Sequence, residues 1–301
     1  MSFKSGFIAI IGRPNAGKST LINQIMHSKV AIVSDKAQTT RNSIRAIVTD
    51  ENSQLIFIDT PGIHKPKSEL GRQMNRVAYS SLSGVDVIYY IFDGSESFGR
   101  GDEYVMEYLK KQEVPIFCVV NKIDSMAKGK LLELLMKLNA TEIFSEIIPI
   151  SAKTGDNVDR LFELTRNYMP EGVKYYPDEM KVDYPEQFIL GEIIREKLLA
   201  RTKEEIPHSI AVVFDQFAEK KESILIVATI LVERDSQKGI VIGKGGELLK
   251  EVGQEARLEL EAILGKRIYL ELFVRVEKDW RNRKARLNSL GYLDTEIHDD
   301  E

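Results

Sequence analysis

Gly12-Arg13-Pro14-Asn15-Ala16-Gly17-Lys18-Ser19 decides how this chain folds. A short apolar run at 7–11 precedes it, and an amphipathic stretch with helical spacing, 19–27, follows. A strand, a glycine-bearing turn ending in Lys-Ser and a helix make the P-loop arrangement. Glycine lets backbone N–H groups wrap a phosphate, and the following helix N-terminus favours anions. Lys18 is placed to reach β- and γ-phosphate oxygens, and Ser19 to offer its hydroxyl to Mg²⁺.

The pattern continues outward from that turn. Apolar runs at 44–48, 55–58, 85–92, 115–120 and 147–150 read as strands. Helical patterns at 70–82, 103–111, 131–138 and 158–168 alternate with them. This alternation predicts an α/β, mainly parallel, doubly wound sheet, and the near-continuous apolarity of 85–92 and 115–120 predicts strands buried on both faces.

Three further motifs fall at predicted strand ends, where such sheets bind ligands. Asp59-Thr60-Pro61-Gly62 supplies a carboxylate that can hold Mg²⁺ through water and a Gly62 N–H that can sense the γ-phosphate. Asn121-Lys122-Ile123-Asp124 supplies a carboxylate that can accept from guanine N1–H and its 2-amino group. Adenine has no N1–H, so the motif selects GTP over ATP. Ser151-Ala152-Lys153 follows on another strand-to-loop junction, placed for backbone contact to the guanine oxygen.

The alternation stops after residue 168. Residues 169–185 hold Pro170, Pro177 and Pro185 and read as a connector. From 187 the order is a helix, strands at 209–214 and 224–232, a helix at 247–264 and a strand at 267–276. Ile240-Val241-Ile242 reads as a strand leading into Gly243-Lys244-Gly245-Gly246, a GxxG loop of the kind that clamps single-stranded nucleic acid. Lys250 lies one turn into the next helix. A dimerisation or packing module with a basic surface is the alternative reading. Trp280, the only tryptophan, and Arg281 follow in a cationic stretch; Trp280 reads either as a base-stacking ring or as the anchor of a C-terminal helix.

Composition agrees with two soluble domains: 301 residues, 43% hydrophobic, 29% charged, net charge −4. Eleven Lys and Arg outnumber eight acids over 240–290, and an acidic tail follows at 293–301. One cysteine, Cys118 in an apolar run, excludes an intramolecular disulfide and a cysteine-rich zinc site. No stretch is long and apolar enough to span a bilayer, and the N-terminus lacks the form of a signal peptide, so a cytoplasmic protein is expected.

On these motifs, residues 7–170 resemble the G domain of the bacterial ribosome-assembly GTPases, and the whole chain resembles the Era family, with its C-terminal type II KH domain. The resemblance implies a G domain over 1–172, a linker over 173–185, a KH domain over 186–292 and the tail over 293–301. It implies GTP hydrolysis, GTP and GDP as ligands, and nucleotide contacts from 12–20, 59–62, Asn121, Lys122, Asp124, Ser151, Ala152 and Lys153, with Thr20 closing the P-loop. Switch I falls at Gln38-Thr39-Thr40-Arg41. Mg²⁺ is then held by Ser19, Asp59 and Thr40, with Thr39 the alternative to Thr40. Catalysis rests on Lys18, Thr40 and Gly62. RNA binding falls to Gly243, Lys244, Gly245, Gly246, Lys250, Trp280 and Arg281, with the 3′ end of 16S rRNA in the small ribosomal subunit as partner. The family also implies a peripheral membrane contact, although no amphipathic anchor is evident. Ala16 stands where the family more often has valine.

Ras-like enzymes carry a water-orienting glutamine after the switch II glycine, and here that position is Ile63. Slow intrinsic turnover is therefore expected, and a nucleotide-sensing RNA scaffold is the rival reading. His64 is read as a base or as a solvent-facing switch residue. A similar Pro-Asn-x-Gly-Lys-Ser loop in other GTPases implies a K⁺ role for Asn15; loop shaping is the alternative.

Overall fold

The computed structural model describes residues 2–36 and 38–292. The acidic tail read at 293–301 lies outside the described residues. The chain forms two compact units whose main division falls between Asp183 and Tyr184, with Ser68–Leu70 grouping with the second.

In the first unit the strands are β1 (Lys4–Gly12), β2 (Ile44–Thr49), β3 (Ser53–Asp59), β4 (Val87–Asp93), β5 (Ile116–Asn121), β6 (Glu146–Pro149) and β7 (Val182–Asp183). Its helices are α1 (Lys18–Met26), α2 (Glu69–Ser80), α3 (Arg100–Leu109), α4 (Lys128–Asn139) and α5 (Val158–Tyr168). The sheet order is β6-β5-β4-β1-β3-β2-β7. Strands β6, β5, β4, β1 and β3 run parallel, while β2 and β7 are antiparallel to their neighbours.

Alternation along each strand divides the core between the two faces. Ile8, Ile10, Phe57, Tyr89 and Phe117 pack with Leu21 and Ile22 of α1 and Leu161 of α5. Ala9, Ile11, Ile58, Tyr90 and Cys118 pack with Ala78 of α2, Val105 of α3 and Leu138 of α4. Strands buried on both faces must be apolar throughout, which is why β4 and β5 read as continuous hydrophobic runs. Cys118 is fully buried, and that burial raises its thiol pKa far above the ordinary value.

The segment read as a connector is partly ordered onto this sheet. Gln54 Oε1 accepts the Tyr175 and Tyr176 N–H groups at 2.7 and 2.9 Å. Val182 and Asp183 then form β7 against Ala46 and Arg45. A two-residue strand has too little periodicity to be read from sequence.

In the second unit α6 (Glu186–Arg201) and α7 (Ile206–Ser209) precede β8 (Ala211–Glu219) and β9 (Ser223–Val232); α8 (Asp235–Ile242), α9 (Glu247–Leu264), β10 (Arg267–Val276) and α10 (Lys284–Ser289) complete it. The sheet order is β10-β9-β8, with β9 parallel to β10 and antiparallel to β8. Ile194 and Leu198 of α6 and Val252 and Ala256 of α9 cover one face over Ala228 and Ile230.

One expectation is corrected here. Ile240-Val241-Ile242 is the last turn of α8, not a strand. Gln237 starts that helix, its side-chain oxygen accepting the Glu233 and Arg234 N–H groups at 2.8 and 3.1 Å. Three adjacent apolar residues look like a buried strand, but only Val241 is buried; Ile240 is 51% exposed.

Candidate functional site

Parallel strands bring their C-terminal ends to one edge of the first sheet, and the motif residues gather there. The turn after β1 runs through Asn15 and Gly17 in left-handed conformations, with φ of 64° and 96°. A Cβ on Gly17 would collide with the Asn121 amide, so the glycine is sterically required. Gly62 is held as tightly: a Cβ there would lie 2.8 Å from the Pro14 backbone nitrogen. Ile63 N–H donates to the Gly12 carbonyl at 3.1 Å, tying the DTPG turn to the P-loop.

Lys18 is buried, and its ammonium donates to the Gly12 and Arg13 carbonyls at 3.4 and 3.0 Å. Burial lowers its pKa to about 8, with Asp59 opposing the shift. Ser19 Oγ donates to Asp59 Oδ2 at 2.8 Å and lies 2.9 Å from Thr40 Oγ1. Thr40 Oγ1 is itself 3.4 Å from Asp59 Oδ2. Burial pushes the Asp59 carboxyl up, opposed by Lys18 and by the Ser19 and Thr40 hydroxyls. Its Oδ1 is buried with no hydrogen-bond partner. A buried carboxylate oxygen left unsatisfied is costly, and beside two hydroxyls it fits a hard cation such as Mg²⁺.

Thr60 and Pro61 are fully enclosed. The Thr60 hydroxyl donates to the Ile10 carbonyl at 2.7 Å, so this side chain fastens β3 to β1 and does not face a ligand. Thr20 is half-buried in the first turn of α1.

Asn121 joins two loops: its Nδ2 donates to the Ala16 carbonyl at 2.8 Å and its Oδ1 accepts the Ala152 N–H at 2.9 Å. Lys122 is left-handed, φ 65°, and its ammonium meets Asp93 at 2.5 Å. Asp124 is exposed, and the Ser151 hydroxyl donates to its Oδ1 at 2.7 Å. That hydrogen bond is the main cause holding the Asp124 carboxyl below its usual value, with Lys153 adding to it. Lys153 is exposed beside it.

Asp93, Asp102 and Asn75 are not read from sequence, and Gln38 is read only as part of switch I. Asp93, opposite Asn121 in the β4–β5 register, orients Lys122; an acid closing a buried strand was the available signal. Asp102, 2% exposed, accepts from Arg13, the Tyr90 hydroxyl and the Gly99 N–H, so Arg13 is turned toward α3. Gln38 and Asn75 hold His64: its Nδ1 is 2.9 Å from the Gly62 carbonyl and its Nε2 is 3.1 Å from the Gln38 amide nitrogen. That pairing requires the proton on Nδ1. Asn75 Nδ2 donates to the His64 carbonyl at 2.8 Å. The ring is committed to structure rather than poised as a base.

In the second unit Gly243, Gly245 and Gly246 all take positive φ, 76°, 62° and 83°. A Cβ on Gly245 or Gly246 would meet nothing within 4 Å, so the loop backbone stands open. Lys244 and Lys250 are exposed beside it. Trp280 is not available for stacking: it is 0% exposed and its indole N–H donates to the Ser209 carbonyl at 3.0 Å. The amphipathic ring is used as a core anchor, and the expectation of a base contact from it is withdrawn. Arg281 is half-buried and paired with Glu233 at 2.5 Å.

The family model described as a 50S ribosome-binding GTPase matches residues 7–122, and the model described as a KH domain matches residues 205–281. A crystal structure of Era with MgGDPNP and nucleotides 1506–1542 of 16S ribosomal RNA is 40% identical, with TM-score 0.94 over 97% of this chain and 100% of that one. A structure of a single-residue variant of Aquifex aeolicus Era bound to GDP and AlF₄⁻ matches with the same identity, coverage and TM-score.

The chain belongs to the Era family.

It is therefore a GTPase whose first unit carries the P-loop and whose second unit is an Era-type KH domain. Within the family frame, the helix before the GxxG loop is explained: α8, the loop and α9 form one helix–loop–helix beside β10.

Proposed function

We propose that this Era-family protein is a GTP-hydrolysing switch that binds the 3′ end of 16S rRNA through its KH domain and assists maturation of the small ribosomal subunit. The G domain spans 1–172, the linker 173–185, the KH domain 186–292 and the acidic tail 293–301. The observation that carries the reading is the meeting of Ser19, Thr40 and Asp59. A switch threonine beside the P-loop serine and a buried carboxylate makes an oxygen cradle that a nucleotide-bound Mg²⁺ completes. Thr40, not Thr39, is the ligand in this reading, because its hydroxyl is the one on Ser19.

The mechanism follows from how the chain's groups are held. Backbone N–H groups of 15–19 wrap the β-phosphate, and the Lys18 ammonium, already at the mouth of that turn, moves from the Gly12 and Arg13 carbonyls to phosphate oxygens. Gly62 is packed against Pro14, and in this reading its N–H meets the γ-phosphate. Asp124, oriented by Ser151, accepts the guanine N1–H and 2-amino group, and the backbone of the 151–153 loop, fixed by Asn121 through the Ala152 N–H, meets the guanine oxygen. Lys122 covers the base while held by Asp93. Mg²⁺, when bound by Ser19, Thr40 and Asp59, neutralises charge on the β- and γ-phosphates.

Arg13 is tied to Asp102 and Glu96 and does not serve as a finger. A monovalent cation at Asn15 fills that need: we assign K⁺ there, beside the loop-shaping role its left-handed conformation performs. Gly243, Lys244, Gly245, Gly246 and Lys250 hold the RNA backbone, with Arg281 at the margin. Cytoplasmic placement with a peripheral membrane contact completes the reading; among the described residues no helix is long and apolar enough to cross a membrane.

Ile63 favours the rival reading of a sensing scaffold: it is 1% exposed, in the core, and cannot orient water. Single-turnover GTP hydrolysis with and without 16S 3′-end RNA, in K⁺ and in Na⁺, separates the two. Turnover that RNA or K⁺ accelerates supports the switch; a rate no faster than free GTP in every condition supports the scaffold.

A further inference from the structure

Among the described residues, α6 and α9 pack on the face of the second unit's sheet that carries Ile226, Ala228 and Ile230 of β9. Along β10, Ile268, Leu270 and Leu272 turn inward to α6 and α9. The alternate residues turn outward, and two of them are aromatic: Tyr269 is 59% exposed and Phe273 is 54% exposed. Large rings are normally buried, and two on one strand face, four residues apart, stand about 13 Å from each other. Their β9 partners in register are Leu225 and Thr229, so the rings stand on a partly apolar floor. Arg267 and Arg275 bracket them, both exposed, with Glu271 between.

This face shares Tyr269 with a second feature. A groove of about 590 Å³ lies along β10 and α9, lined by Gly246 of the GxxG loop, Lys250, Arg257, Leu270 and Tyr269. Tyr269 therefore belongs both to the groove and to the open face. A strand of nucleic acid leaving the groove past Tyr269 meets Phe273 next.

We propose that Tyr269 and Phe273 form a base-stacking platform on the open face of the KH sheet, receiving the single-stranded RNA that extends beyond the groove. This rests on the KH reading above. Base–aromatic stacking tolerates any sequence, because every base presents a π face, and cations beside the rings engage the backbone. Glu271 stands between the rings and repels that backbone, so the strand crosses it with its bases on the rings and its phosphates turned away. The platform lengthens the bound segment and fixes its direction; it is not needed for the few nucleotides that the GxxG loop clamps.

The test uses the full-length protein with a non-hydrolysable GTP analogue and two fluorescein-labelled RNAs cut from the 16S 3′ end, a 4-mer and a 10-mer. Phe273→Ala should weaken the 10-mer about tenfold, leave the 4-mer within about twofold, and Phe273→Tyr should restore the 10-mer. Equal 10-mer affinities for wild type and Phe273→Ala overturn the platform while the KH reading stands. Unchanged naked-RNA binding with weakened binding to 30S subunits assigns the face to a protein partner instead and overturns it too. Failure of wild type to bind either RNA overturns the KH reading itself.

Discussion

Asn121 and Ala16, 105 positions apart in the chain, are joined by a 2.8 Å hydrogen bond from the Asn121 amide to the Ala16 carbonyl. The same side chain accepts the Ala152 N–H, so one residue sets the distance between the phosphate loop and the guanine loop.

Asn121→Ala leaves two buried backbone groups without partners, at about 1–3 kcal/mol each. GTP and GDP should both bind at least about tenfold more weakly, by calorimetry, since the loop spacing is shared by the two ligands. Loss of GTP binding alone would contradict a spacing role.

Asp124→Asn places an amide donor where guanine offers its own donors. GTP affinity should fall by about 10²–10⁴, with XTP gaining relative to it. The Ser151 hydroxyl remains available to hold the amide oxygen, so the fold should be unaffected by circular dichroism. Retained preference for GTP would refute the base assignment.

Lys244→Asp with Gly245→Asp sets two carboxylates at the open turn of the GxxG loop, one of them at a φ of 62° that side chains adopt reluctantly. RNA binding should drop by about tenfold or more and lose part of its salt dependence. Basal GTP hydrolysis should stay within about twofold, because the G motifs are untouched.

The buried Trp280 is the chain's only tryptophan. Its emission should be blue-shifted and should report unfolding of the KH domain alone in urea. Trp280→Ala should cost about 3–5 kcal/mol in that transition, whereas Trp280→Phe, which mainly forfeits the bond to Ser209, should cost less. Direct quenching by bound RNA would mean that the ring is reachable after all.

The parts of this molecule that were legible in its sequence are those where chemistry fixes both residue type and local geometry. A phosphate-wrapping turn needs small residues and a lysine, and a guanine-reading loop needs its carboxylate at a strand end. What escaped was assembled through space. Asp93 reaches Lys122 because β4 lies beside β5, and Asp102 captures Arg13 from a helix 89 residues away. Neither spacing repeats along the chain. The turn of α8 at 240–242 escapes sequence reading because a half-exposed helix end and a strand present the same three apolar letters. Trp280 had two readings open, and only burial distinguishes a ring that packs from one that stacks.

Cys118 has a practical consequence. The single thiol of the chain lies sealed in β5 with its ionisation suppressed, so maleimides should leave the native protein unmodified. The chain is in effect a ready-made cysteine-free background for spectroscopy. One cysteine introduced on the surface of each unit would accept a donor–acceptor dye pair with no further mutagenesis. The distance between the units could then be followed in real time as GTP is loaded, hydrolysed and released.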